Sequence, residues 1–221
     1  DAYKNLKDKK YEIKNLRQEA VRFCSAIKYQ IDNTDYKPKQ TEYKFENYKL
    51  PSGLTLKGFV DRLDICDQNN SFRVIDYKTG QDKFSFQTTY YGLKIQLIVY
   101  LKVLQDILNK KPVSAMYMPV KNSFSNEQTT EFESYKLDGI ILNDKGVLYR
   151  TDKQLIDNLS SDIINVTFKK DGEVQSHCAN NMLSGVEFED LMEYCCKILN
   201  GAVDEMLNGY IQPKPFVNDL K

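Results

Sequence analysis

Two aspartates and a lysine are spaced so that a β-hairpin would gather them. The segments Lys57-Gly58-Phe59-Val60-Asp61-Arg62-Leu63-Asp64-Ile65-Cys66 and Ser71-Phe72-Arg73-Val74-Ile75-Asp76-Tyr77-Lys78 both read as strands. The residues between them, Asp67-Gln68-Asn69-Asn70, are turn formers. Pairing Cys66 with Ser71 sets Asp61 directly opposite Asp76, where Cβ atoms on one face stand roughly 4.5–5.5 Å apart. Like charges placed there destabilise a sheet, so the pair calls for a compensating cation. Lys78 lies two residues past Asp76 and therefore on the same face. Carboxylate oxygens suit a hard divalent ion such as Mg²⁺, which binds through one or two carboxylates and keeps water and substrate phosphate in the remaining positions. The Tyr77 carbonyl is a candidate third oxygen. Beside a scissile phosphate, Lys78 could orient or deprotonate the attacking water or offset charge developing in the transition state. Such an ion would polarise the phosphoryl oxygen and acidify its water.

The elements that must position these groups are legible as patterns. Residues 4–31 read as an amphipathic helix, with Leu6, Ile13, Leu16, Ala20, Phe23, Ile27 and Ile31 at helical spacing. A polar stretch carrying Pro38 ends it, residues 41–49 suit a strand, and Pro51-Ser52-Gly53 is a turn. Residues 88–109 predict one continuous helix, apolar nearly all round and so buried on more than one side. It carries two polar-tipped residues four apart, Gln96 and Tyr100, which share a face and need partners. Val113 to Val120, apolar on both parities, predicts a covered strand. A polar loop is expected over 121–131, a strand over 132–143 broken at Asp138-Gly139, and a short helix over 151–160. A strand over 163–169 and a last helix from Gly185 to Asn208 complete the reading. With no internal repeat or linker, residues 1–221 predict one α/β domain, a central mixed sheet flanked by helices.

Composition bounds the function classes. Lys and Arg balance Asp and Glu at 31 each, so any polyanion must be held by a local patch rather than by the field of the whole chain. Five cysteines without a C-x-x-C pair make a poor disulfide framework and predict free thiols in a reducing, cytoplasmic setting. One histidine, His177, excludes multi-histidine zinc sites. No apolar run approaches the roughly 20 residues of a membrane span, and no signal peptide is visible. Thr79-Gly80 follows Lys78, but no phosphate-loop pattern precedes it. The lysines at 4, 7, 9, 10 and 14 predict a solvated helix face or, alternatively, a contact with nucleic acid.

Three motifs in series carry a resemblance. Gly58-Phe59-Val60-Asp61-Arg62-Leu63-Asp64, then Ile75-Asp76-Tyr77-Lys78-Thr79-Gly80, then Gln96-Leu97-Ile98-Val99-Tyr100 are similar to the RecB-type branch of the PD-(D/E)XK nucleases. The likeness is greatest to the nuclease domain of AddB-type subunits of bacterial helicase–nuclease complexes, and it continues through Tyr135 to Leu142 and from Lys169 to Pro213. The resemblance implies a restriction-endonuclease-like core and a Mg²⁺-dependent deoxyribonuclease, with Mn²⁺ a substitute and an exonuclease expected. Asp61 and Asp76 would be metal ligands together with the Tyr77 carbonyl, Lys78 the catalytic lysine, and Gln96 and Tyr100 the supporting helix motif. Glu42 is a weaker candidate for a metal or water contact. Arg62, of opposite parity to Asp61, reads as structural or as a DNA contact.

The implied partners are DNA, single-stranded and delivered by a helicase of the AddA type, in the processing of ends for recombinational repair. Two departures stand out. No histidine precedes Asp61, and the cysteines that ligate an iron–sulfur cluster in AddB-type subunits are missing, so the chain reads as an excised domain of a larger subunit. Two other readings stay open: a catalytically dormant, DNA-holding module of the same complex, and an RNA-directed or CRISPR-associated relative of the same fold.

Overall fold

The computed structural model describes residues 2–80, 83–120, 132–210 and 212. In chain order its elements are α1 (Ala2–Asn33), β1 (Lys37–Lys49), β2 (Thr55–Cys66), β3 (Ser71–Lys78), α2 (Phe86–Tyr90), α3 (Gln96–Leu108), β4 (Lys111–Pro119), β5 (Asp138–Leu142), α4 (Lys145–Thr151), β6 (Met182–Leu183) and α5 (Gly185–Leu207). The strands form one six-stranded sheet in sequential order. β1–β2, β2–β3 and β4–β5 are antiparallel, whereas β3–β4 and β5–β6 are parallel. The fold is the mixed α/β sheet flanked by helices that the sequence predicts.

The hairpin forms in the expected register, from Cys66–Ser71 to Arg62–Ile75. Its connection is a short 3₁₀ turn over Asp67–Asn69, closed by Asn70 in the left-handed conformation that asparagine tolerates. β3 and β4 are buried over most of their length, as their apolar runs require. A parallel pair needs a long crossover, and α3 supplies it, packing on both strands and on α5.

Several expectations change. The helix predicted over 88–109 is two helices. α2 ends in a Schellman closure, with Leu93 N–H donating to Thr88 O, Gly92 N–H donating to Thr89 O, and Gly92 at φ +76°. Gly139 lies inside β5 instead of breaking it, because a Cβ there would fall 2.1 Å from Ala115 O of β4. The helix expected over 151–160 begins earlier, as α4, and continues only as a 3₁₀ turn over Lys153–Ile156. The strand expected over 163–169 is reduced to isolated bridges at Ile164, Thr167 and Phe168. There the Ser161 hydroxyl and the buried Asp152 carboxylate take up backbone N–H groups that a ladder would otherwise use. The loop expected over 121–131 and most of the tail beyond Gly209 lie outside the described residues. In α1 the apolar stripe is only half covered: Phe23 and Ile27 pack on the core, while Ile13 and Leu16 remain 50% and 59% exposed.

All five cysteines are free thiols, spread over α1, β2, the turn before β6, and α5. Burial pushes the Cys195 thiol up to about 12, so it is chemically inert. No described helix is long and apolar enough to cross a membrane.

On the α1 side of the hairpin lies a buried charge cluster. Arg62 grips Asp64 with two hydrogen bonds of 2.7 Å, and its third nitrogen faces Gln30 of α1 at 3.4 Å. Arg73, directly opposite Asp64 in the ladder, donates to the same carboxylate at 2.9 Å and lies 5.1 Å from the centre of the Tyr36 ring. All three charged groups are fully buried. Burial opposes the Arg62 charge, but the bidentate Asp64 carboxylate outweighs it and its pKa is raised. At Arg73, burial wins and holds the guanidinium below its ordinary value. Replacing Asp64 by Ala strands two guanidinium groups in the core. We expect a loss of about 3–5 kcal/mol, read as a fall in the urea midpoint, and a loss under 1 kcal/mol would refute the role given to this carboxylate.

Candidate active site

The site lies where the β2–β3 ladder ends. The last pair is Arg62–Ile75, one step short of the expected Asp61–Asp76 opposition. In place of continued pairing, the Asp61 carboxylate accepts a hydrogen bond from the Tyr77 N–H at 2.8 Å through Oδ2. Asp76 carries its own compensation, since Lys78 Nζ stands 2.5 Å from its Oδ2. The two side chains are 23% and 33% exposed, sheltered but open to solvent. Lys78 Nζ also lies 5.5 Å from the centre of the Tyr117 ring, and Tyr117 is the β4 residue in register with Asp76. Tyr77 points to the other face, where its ring meets Phe23 of α1 edge-on at 5.4 Å.

The helix motif assembles separately. Gln96 is the first residue of α3, and its Nε2 donates to the Tyr100 hydroxyl at 2.8 Å. Tyr100 packs edge-on against Phe45 of β1 with ring centres 5.1 Å apart. Gly58, the first residue of the aspartate motif, makes this possible: a Cβ there would fall 2.8 Å from Tyr100 Cζ and 2.5 Å from Phe45 Cζ. Strand β2 is thereby seated on α3 just ahead of Asp61.

The remaining candidates fall out differently. Arg62 is buried in the cluster with Asp64, so the DNA contact considered for it gives way to a structural role. Glu42 is exposed on β1 between the pairs Thr41–Arg62 and Tyr43–Val60, level with Asp61. Its φ of +51° is a left-handed conformation unusual for glutamate in a strand. Among the described residues no three His, Cys, Asp or Glu side chains converge to hold an ion, so Glu42 does not join the two aspartates in one cluster. Lys9, Lys10 and Lys14 are exposed on α1, as a solvated face requires.

Two positioning residues escaped the sequence reading. Tyr117 sits among the apolar residues of β4 with nothing local to mark it. Asp138, read as a strand break, accepts a hydrogen bond from the Phe84 N–H at 2.7 Å and ties the segment after Lys78 to β5.

The sequence that builds this geometry, Asp61 on one strand and Asp76-Tyr77-Lys78 at the end of the next, is similar to known proteins. The description of the PD-(D/E)XK nuclease superfamily fits residues 2–218. The chain belongs to that superfamily. Similar curated proteins include an ATP-dependent helicase/deoxyribonuclease subunit of Clostridium botulinum strain Hall, 31% identical over 98% of this chain and 21% of its own length. The protein of the same name from Clostridioides difficile is 28% identical over 93% of this chain and 20% of its own length. That from Lactiplantibacillus plantarum is 29% identical over 88% and 19%. The chain thus spans about a fifth of the length of these relatives.

Within the superfamily match, the glycine of the first motif leaves room for two aromatic rings that a Cβ would strike. Gly58→Ala should force Phe45 and Tyr100 apart and destabilise the protein by about 1–3 kcal/mol. Urea denaturation followed by tyrosine fluorescence would measure this, and a change within about 0.5 kcal/mol would show that the close approach is not needed.

Proposed function

We propose that this chain is a Mg²⁺-dependent deoxyribonuclease domain that hydrolyses phosphodiester bonds. The observation that carries the reading is the Asp76–Lys78 pair beside Asp61 at the open end of the hairpin. The donor set fits the ion. Asp61, Asp76 and the Tyr77 carbonyl offer only hard oxygens, and Mg²⁺ commonly takes one or two carboxylates with water and phosphate in its other positions. When bound, Mg²⁺, or Mn²⁺ in its place, supplies Lewis acidity toward a phosphoryl oxygen and a more acidic water.

The chain's own residues do the rest. The Tyr77 N–H holds the Asp61 carboxylate in one orientation. Asp76 keeps Lys78 Nζ at the site rather than in solvent. From there Lys78 can hold the attacking water, take its proton, or stabilise the charge that grows on the phosphate. Gln96 and Tyr100, bonded to each other, offer an amide and a hydroxyl able to exchange partners when a phosphate or water arrives.

The relatives' printed names, ATP-dependent helicase/deoxyribonuclease subunits, support a DNA substrate and a helicase partner, and the resemblance to AddB-type subunits implies a wider setting. In it the domain acts as an exonuclease on single strands from an AddA-type helicase partner, in the cytoplasm, during recombinational repair of DNA ends. An iron–sulfur cluster in such a protein would draw its ligands from elsewhere, because among the described residues no three His, Cys, Asp or Glu side chains converge to hold a metal.

The test is cleavage of end-labelled single-stranded DNA with and without Mg²⁺ or Mn²⁺, beside Lys78→Ala and Asp76→Ala. We expect metal-dependent cutting that falls by about 10²–10⁴-fold in Lys78→Ala. Calorimetric titration should show metal binding lost in Asp76→Ala. Unchanged cutting and metal binding in Asp76→Ala would overturn the assignment, and absence of both in the wild-type chain would favour the dormant module.

A further inference from the structure

Past Ile75, β3 no longer pairs with β2, so the sheet supports Asp76, Tyr77 and Lys78 from β4. The parallel ladder runs on through Asp76–Tyr117 and Lys78–Pro119, and the Val120 N–H donates to the Lys78 carbonyl at 2.8 Å. This pairing fixes the Lys78 backbone, but a lysine stem has four carbons and many rotamers. At its far end the ammonium meets the Asp76 carboxylate, 2.5 Å from Nζ, and the Tyr117 ring, whose centre is 5.5 Å away. Tyr117 is buried on a strand that is itself covered over most of its length. Its partner across β5 is Asp138, which accepts the Phe84 N–H, so the ring lies on a braced surface. The two contacts respond differently to an ion. An Asp76 carboxylate that ligates Mg²⁺ attracts Lys78 less, because the charge of the ion opposes that of the ammonium. The ring keeps its negative face whatever Asp76 binds.

We propose that the face of the Tyr117 ring is the seat that keeps the Lys78 ammonium at the scissile phosphate while Asp76 serves the ion. The inference rests on the nuclease reading for the part that Lys78 plays. Tyr117 is a positioning residue, acting through Lys78 and touching no reacting atom. A cation within about 6 Å of an aromatic centre is held by the ring quadrupole, and the hold strengthens as water is excluded. Both conditions are met at Tyr117, 5.5 Å from Nζ and 7% exposed. The quadrupole belongs to the ring and not to the hydroxyl, so phenylalanine serves at this position and an aliphatic side chain of similar bulk does not. Register explains why the ring comes from β4. The residue level with Asp76 shares its face, and Lys78, two residues on, returns to that face.

The first readout is the place of Lys78, independent of cutting. In the 221-residue chain carrying isotope-labelled lysine, the NMR signal of the Lys78 ε-methylene is identified by its loss in Lys78→Arg. Seated on the ring, it should resonate upfield of the exposed lysines and stay there when Mg²⁺ is added. Tyr117→Phe should keep that shift and Tyr117→Leu should abolish it, with circular dichroism confirming that both are folded. The second readout is cleavage of single-stranded DNA. Tyr117→Leu should lower kcat by about 2–30-fold with KM and Mg²⁺ affinity within about twofold, and Tyr117→Phe should restore kcat. A wild-type Lys78 signal that is not upfield, or that loses its shift on addition of Mg²⁺, overturns the proposal, and this measurement needs no variant at Tyr117 to fold. An unchanged kcat in Tyr117→Leu overturns it too, as does a Tyr117→Phe enzyme as slow as Tyr117→Leu, which would assign the role to the hydroxyl. In a chain that does not cut, the shift decides alone. Cutting that is unaffected by Lys78→Ala while the shift is kept overturns the nuclease assignment of Lys78 and leaves the seat standing.

Discussion

The Asp64 carboxylate lies between two guanidinium groups in the interior, and the placement of the site depends on that arrangement. Arg62 and Asp64 share one face of β2, and Arg73 meets them from β3. A slip of one residue in the hairpin would turn one partner to the opposite face and leave buried charge without a counterion. Buried ion clusters of this kind contribute little net stability, because desolvation offsets most of the attraction. Their best-attested use is to fix register, and here the register decides the chemistry. With Arg62, Asp64 and Arg73 committed to the α1 side, Asp61, Asp76 and Lys78 must face the other way. The Gln30 contact extends the constraint to α1, so helix and hairpin are set together.

How much of this was legible in the sequence follows from the range of each interaction. The hairpin register was readable because turn residues and strand parity are local signals, and the structure reproduces it from Cys66–Ser71 to Arg62–Ile75. The structural reading of Arg62 came from parity alone. Gln96 and Tyr100, four apart on a helix, could be expected to meet, and they do. The break at Gly92 was hidden because apolar and aromatic residues recur on both sides of it, Tyr90 and Tyr91 before and Leu93, Ile95 and Leu97 after. Its mark, a glycine that can adopt positive φ at a helix end, is common to many glycines that do nothing of the kind. Gly139 was misread for the opposite reason: the close approach of Ala115 O that demands it comes from a strand distant in sequence. Tyr117 beneath Lys78 and the Asp138–Phe84 bond share that origin, since parallel pairing and its crossover leave no local trace.

The opening of the ladder at Asp61 is what turns a hairpin into a site. Two carboxylates facing each other in a closed ladder would repel, and a sheet has two ways to relieve this: bring a cation, or part the strands. This one does both. Lys78 meets Asp76, while the Asp61 carboxylate binds the Tyr77 N–H at the point where strand pairing stops. The same parting releases β2 to continue with β1 as a two-stranded ribbon, which twists more freely than a strand held in a wide sheet. Gly58 then seats that ribbon on Tyr100, at the start of the crossover helix that also carries Gln96. Electrostatic repulsion between two aspartates, resolved by parting, thus accounts for carboxylates open to an ion. A closed ladder with neutral residues at these two positions would hold the sheet together more firmly and leave no place for a phosphate.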